Sequence, residues 1–130
     1  MKILKTSSPK DKATIAGLMN RIDAAPYTPP SYAEAVQAVG EKPLRALIDL
    51  GEIVQVQPDV IFSRRAYEDM VSAVLMLIDR DGVVTAKALR DHFETSRKYA
   101  IGLLEHLDTM GITQRMGDER VRGRNSRTNA

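Results

Sequence analysis

Two stretches sixty residues apart end in the same way: Leu47-Ile48-Asp49-Leu50-Gly51 and Leu107-Asp108-Thr109-Met110-Gly111. Each brings apolar residues at helical spacing up to a glycine, which can take the left-handed conformation that stops a helix. Each is followed at once by two short strand-like runs around a tight turn. After Gly51, the runs 52–57 and 60–62 flank Pro58-Asp59; after Gly111, 112–116 and 119–121 flank Gly117-Asp118. Gly followed by Asp suits a two-residue II′ hairpin. A repeat of this length constrains the fold more than any local propensity does, because it makes the chain two copies of one small unit.

What precedes each hairpin agrees. In the first copy Ser8 caps a helix with Pro9 at its first position, running to about Ala24 with Ile15, Leu18, Met19 and Ile22 on one face. Pro26-Tyr27-Thr28-Pro29-Pro30 is an extended linker, and Ser31 with Glu34 is a capping box for a second helix to Val39. A third helix, 41–50, buries Leu44, Leu47 and Ile48. In the second copy Ser63 or Arg64 opens a long helix through Met70, Val74, Leu77 and Ile78 to Arg80, and Val84 makes a single strand pairing. Thr85 caps a helix carrying Ala88, Leu89 and Phe93. Thr95 caps the last one, with Ala100, Leu103, Leu104, Leu107 and Met110 inward. Three helices and a hairpin, twice over, predict a mostly α (α+β) chain of tandem winged helix-turn-helix domains, each three helices plus a small β-hairpin wing. The expected boundaries are 1–63 and 64–124, with 125–130 a flexible tail.

With 43% hydrophobic and 28% charged residues, the 130-residue chain has the composition of an ordinary globular protein. No apolar run approaches the roughly 18 residues of a membrane span, and the start lacks the apolar core of a secretory signal. The expectation is a cytoplasmic protein without membrane contact. Having no cysteine, the chain can form no disulfide, thiolate metal site or cysteine nucleophile. His92 and His106 have no ligand-spaced neighbours, so no metal site is expected. Glu94, Glu105 and Asp108 form no acid/base pair, Ser96 has no identifiable base, and the chain lacks phosphate-loop and dinucleotide fingerprints. These features predict no catalytic residue, no enzyme activity and no cofactor in this chain.

Charge points elsewhere. Residues 1–63 carry seven Lys/Arg and seven Asp/Glu, and the first hairpin has no cation. Residues 111–130 carry Arg115, Arg120, Arg122, Arg124 and Arg127 against Asp118 and Glu119. Arginine's planar fork matches phosphate oxygens. Binding is therefore expected in the second unit, with the first as a structural spacer. With Ala100 inward and about 100° per residue, Lys98, Gly102, Glu105, His106 and Thr109 face outward and Arg97 lies on the flank. A recognition helix that reads a DNA major groove sends Arg, Asn or Gln to base edges along this face. Here Glu105 occupies its middle, and only the N-terminal tip is cationic. The expected contact is the tip (Arg97, Lys98) and the wing (Arg115, Arg120, Arg122) against a sugar-phosphate backbone, with Lys87 and Arg90 second in rank. That geometry favours structured RNA, which is read by shape, phosphates and unpaired loop bases. The alternative is a DNA-binding winged-helix transcriptional regulator, and a third is a scaffold that binds protein.

The residues 84–93, then Thr95-Ser96-Arg97-Lys98-Tyr99-Ala100-Ile101, Leu104-Glu105, Leu107-Asp108, Gly111-Ile112-Thr113-Gln114-Arg115 and Gly117-Asp118-Glu119-Arg120-Val121 resemble the C-terminal end of the bacterial selenocysteine-specific elongation factors, SelB. The first unit resembles that family's penultimate winged helix more loosely. The resemblance implies the end of an arm that binds an mRNA stem-loop, the selenocysteine insertion element, in support of UGA recoding. It further implies that ribosome and selenocysteyl-tRNA are met through the full-length factor and that GTP belongs to an upstream part; the chain is expected to be a monomer. On this resemblance Arg97, Lys98, Arg115, Arg120 and Arg122 are the RNA-binding candidates, followed by Lys87 and Arg90. One departure stands out: Arg122-Gly123-Arg124 is basic where the family pattern ends in an apolar strand.

Overall fold

In the computed structural model, which describes residues 9–126, Pro9 stands at the first position of α1 (Pro9–Ala24). Its missing N–H costs nothing there. The cap expected at Ser8 lies outside the described residues. The capping box forms as its sequence requires, with Glu34 N donating to Ser31 Oγ (3.1 Å) and Ser31 N to Glu34 Oε1 (2.8 Å) at the head of α2 (Tyr32–Val39). Gly40 then passes the chain into α3 (Glu41–Asp49). Leu18, Ile22, Ala35, Val39, Leu44 and Leu47 from these helices pack with Ile53 and Ile61 of the hairpin that follows, β1 (Ile53–Gln57) and β2 (Val60–Ser63). Pairing is antiparallel with an irregularity between Gln55 and Gln57.

The two compact units divide between Tyr67 and Glu68, within α4 (Arg64–Asp81). Ser63 caps that helix, accepting from Ala66 N at 3.1 Å. In the second unit β3 (Val84–Thr85), α5 (Ala86–Phe93), α6 (Arg97–Met110), β4 (Thr113–Met116) and β5 (Glu119–Arg122) complete the winged-helix arrangement. The strands form an antiparallel sheet in the order β3-β5-β4, so the single strand pairing expected at Val84 is made to Arg120. Gly117 has φ of +65° and Asp118 does not join it in positive φ, as a II′ turn requires. The repeat reaches atomic detail: Gly51 and Gly111 have φ of +78° and +77°. Each also closes its helix with the same pair of bonds, Gly51 N to Ile48 O and Glu52 N to Leu47 O, or Gly111 N to Asp108 O and Ile112 N to Leu107 O.

Three expectations are corrected. The cap of α6 is Ser96, whose Oγ accepts from Tyr99 N (3.5 Å), and not Thr95. Glu94 takes a left-handed φ of +53° and turns the chain so sharply that Thr95 N donates back to Arg90 O, burying Thr95 one position too early to cap. On α6, Gly102 is buried and His106 half-buried rather than outward, because the helix is packed by both α5 and β4 and not along one stripe. Met110, expected inward, is 47% exposed at the helix's last position.

A further correction concerns the tail. Asn125 Nδ2 donates to Met110 O (2.9 Å), Asn125 N to Gly111 O (2.8 Å), and Ser126 is buried. The chain after β5 thus caps the carbonyls left open at the end of α6. Residue 123 must be glycine for this. A Cβ there would stand 2.3 Å from Gly111 O and 2.9 Å from Gly111 C. The basic Arg122-Gly123-Arg124 is therefore a close backbone crossing in place of an apolar strand end. Arg127 lies outside the described residues. Among the described residues no helix is long and apolar enough to cross a membrane, and no cluster of His, Cys, Asp and Glu could hold a metal ion.

Candidate nucleic-acid interface

The sheet and the helix-turn-helix of the second unit enclose a cleft of about 360 Å³ lined by Lys87, Arg97, Arg115 and Arg120, with Thr85, Ala86, Ile101, Glu105 and Asp118. Four of the seven candidate cations therefore meet from four elements: the start of α5, the tip of α6 and both wing strands. Their proximity follows from the register. Arg115 and Arg120 are opposite each other on β4 and β5, and Arg120 is opposite Val84, one residue before the α5 cap Thr85.

The four are not equivalent. Arg97 is exposed and its guanidinium has no partner among the described residues; the nearby carboxylates Asp91 and Asp108 are paired with other cations. Arg115 is also exposed and gives only its Nε, to Gly117 O at 2.8 Å, and its two terminal nitrogens make no hydrogen bond among the described residues. Lys87 is paired with Asp91 at 3.0 Å, an exposed i,i+4 contact of small worth.

Arg120 is different and corrects the expectation of an exposed wing cation. It is 4% exposed. Its Nη2 and Nε donate to Asp108 Oδ2 (3.0 and 3.3 Å), while Thr113 Oγ1 donates to Asp108 Oδ1 at 2.7 Å. The reason is electrostatic. Two arginines directly opposite on neighbouring strands repel, and the one turned toward the helix needs a carboxylate beneath it. Asp108 was the residue missed by sequence reasoning as its partner. The signal available was the register placing Arg115 against Arg120.

Arg90, Lys98 and Arg122 do not line the cleft. Arg90 shares Asp91 with Lys87. Hydrogen bonds from Lys87, and then Arg90, hold the Asp91 carboxyl below its ordinary range. Arg122 is gripped by Asp79 of α4 through two 2.7 Å bonds, which hold the Asp79 carboxyl down in the same way. Lys98 stands with its Nζ 5.9 Å from the centre of the Tyr99 ring. In the first unit the corresponding wing is turned onto its own helix. Asp59 accepts from Tyr32 N and Ala33 N, each at 3.2 Å, and Gln55 Nε2 donates to Pro58 O. Asp59 and Gln55 are thus engaged within the unit.

The chain is similar to known proteins in part of its sequence and in its fold. Residues 76–122 match the family model described as elongation factor SelB, winged helix. A selenocysteine-specific elongation factor of Desulfomicrobium baculatum is 30% identical over 76 residues, which is 58% of this chain and 12% of that protein. The chain therefore spans about an eighth of the length of that relative. The mRNA-binding domain of elongation factor SelB from E. coli, solved in complex with SECIS RNA, superposes with a TM-score of 0.70 over 90% of this chain and 99% of that one, at 20% identity. A bacterial selenocysteine-specific elongation factor, EF-Sec, superposes with a TM-score of 0.70 over 92% of this chain and 20% of that one, at 19% identity. Residues 76–122 are accordingly similar to a winged helix of elongation factor SelB, in a chain that shares the fold of the solved SelB domain.

Proposed function

We propose that this chain binds an mRNA stem-loop of the selenocysteine-insertion type, as the C-terminal arm of a selenocysteine-specific elongation factor that supports UGA recoding. The observation that carries this reading is the pair of guanidinium groups without a carboxylate partner among the described residues, Arg97 on the tip of α6 and Arg115 on the wing, lining one cleft of the second unit. Phosphate contacts fix a protein's register on a nucleic acid, and two arginines carried on different elements suit a bent backbone better than a straight groove. The similarity to a SelB domain solved with SECIS RNA supports the choice of ligand. In this reading the chain works as a monomer in the cytoplasm, the first unit is a spacer, and GTP, selenocysteyl-tRNA and the ribosome are engaged through the rest of the factor.

Gel shifts with a SECIS-type stem-loop, a melted variant of it and a duplex DNA of matching sequence test the proposal. The stem-loop should bind tightest. Arg97→Ala and Arg115→Ala should each weaken it by about tenfold or more, as expected for a lost charge-assisted hydrogen bond. Each should also flatten the salt dependence by about one phosphate's share. Equal affinity for all three nucleic acids, or binding that survives both substitutions, would overturn the reading. A preference for the duplex would favour the DNA regulator instead.

A further inference from the structure

Arg120 is buried, yet one of its nitrogens is not used. Nε and Nη2 are engaged by Asp108, whereas Nη1 makes no hydrogen bond among the described residues. No fully buried side-chain nitrogen or oxygen there is left without a partner, so Nη1 is the part of this side chain that reaches the surface. Arg120 is also one of the residues that line the cleft.

From this geometry we propose that the cleft is a subsite for a single phosphodiester group, with Arg120 Nη1 as its fixed donor and Asp108 as the residue that positions it. The inference rests on the RNA-binding reading and adds to it a particular phosphate and a particular nitrogen. A free surface arginine must surrender side-chain freedom when it grips a phosphate. Arg120 has surrendered it already. Asp108 holds one edge of the guanidinium plane, and Thr113 in turn holds Asp108 through Oδ1. Arg97 and Arg115 lie around the same cleft and can close on the other phosphate oxygens. Glu105 and Asp118 also line it. Their carboxylates repel a second anion, which limits the cleft to one phosphate rather than a run of backbone.

The test is a methylphosphonate scan of the stem-loop, one neutral linkage at a time, against the full chain and against Asp108→Leu/Arg120→Met. The double substitution removes both charges together, so no unpaired ion is left buried. For the unaltered protein, one linkage should cost about tenfold in affinity when neutralised. For the double variant the same linkage should cost less than about twofold, with the rest of the scan unchanged. Arg120→Lys provides a second readout, since it keeps the charge beside Asp108 but removes the free Nη1 edge. It should erase the same linkage from the scan. Matching scans for all three proteins would overturn the proposal while leaving the RNA reading intact. Failure of the unaltered protein to prefer the stem-loop would refute that reading itself.

Discussion

Replacing Asp108 with alanine should be the most costly single change in the second unit that removes no apolar packing. The substitution takes away the carboxylate that accepts from Nε and Nη2 of Arg120 and from Oγ1 of Thr113. Arg120 has 5% of its side chain exposed and Thr113 is 2% exposed, so water cannot replace the lost acceptor for most of these groups. Breaking a buried ion pair from one side costs about 3–5 kcal/mol, because the remaining charge is left uncompensated. Asp108 itself has 22% of its side chain exposed, and Arg120 Nη1 is not fully buried, so the lower end of that range applies. The expected loss is about 3 kcal/mol. Urea unfolding followed by circular dichroism measures it, with the slope of free energy on urea unchanged. The informative comparison is the double variant. Removing Arg120 as well should recover most of the loss, since the liability is the orphaned charge and not the missing attraction. A loss below about 1 kcal/mol for Asp108→Ala, or strictly additive losses in the double variant, would refute the argument that Arg120 is held inside by this carboxylate.

Two further outcomes follow from the geometry. Gly123→Ala would push a methyl group into the backbone at Gly111, and backbone cannot swing aside as a side chain can. The crossing must open and release the Asn125 cap, so a loss of about 2 kcal/mol in urea unfolding is expected, with amide exchange accelerated at residues 111–113. Burial lowers the His106 pKa below its ordinary value, so the unfolded chain binds this proton more readily than the folded one. Its contribution is therefore fully present above about pH 6.5 and is lost as pH falls through the folded value. Stability measured from pH 7 down to 5 should decline in the unaltered protein and decline less in His106→Gln. The carboxylates of Asp79, Asp81 and Asp91, whose pKa values are lowered by hydrogen bonds from Arg122, Arg80 and Lys87, titrate at lower pH and do not confound that interval.

The elements were readable in the chain wherever a local rule acts alone. Ser31 with Glu34, Thr85, Pro9 and the paired glycines Gly51 and Gly111 each act within a few residues, and each appears where its spacing places it. The cap of α6 was misplaced by one residue because Glu94 adopts a left-handed turn that no propensity announces for glutamate. The candidate interface was legible as a set of cations but not as an arrangement. Seven residues were named, and only four of them meet at the cleft.

By itself the sequence determined a tandem fold of helices and hairpins, a charge bias toward the end of the chain, and the family likeness that follows from both. These properties are local or additive, and so survive being read one residue at a time. Which arginine is buried, which is paired and which is free was decided only in three dimensions. Asp108 reaches Arg120 across twelve residues and Asp79 reaches Arg122 across forty-three. A guanidinium's availability depends on the carboxylates that the fold brings to it, and no periodicity encodes that distance.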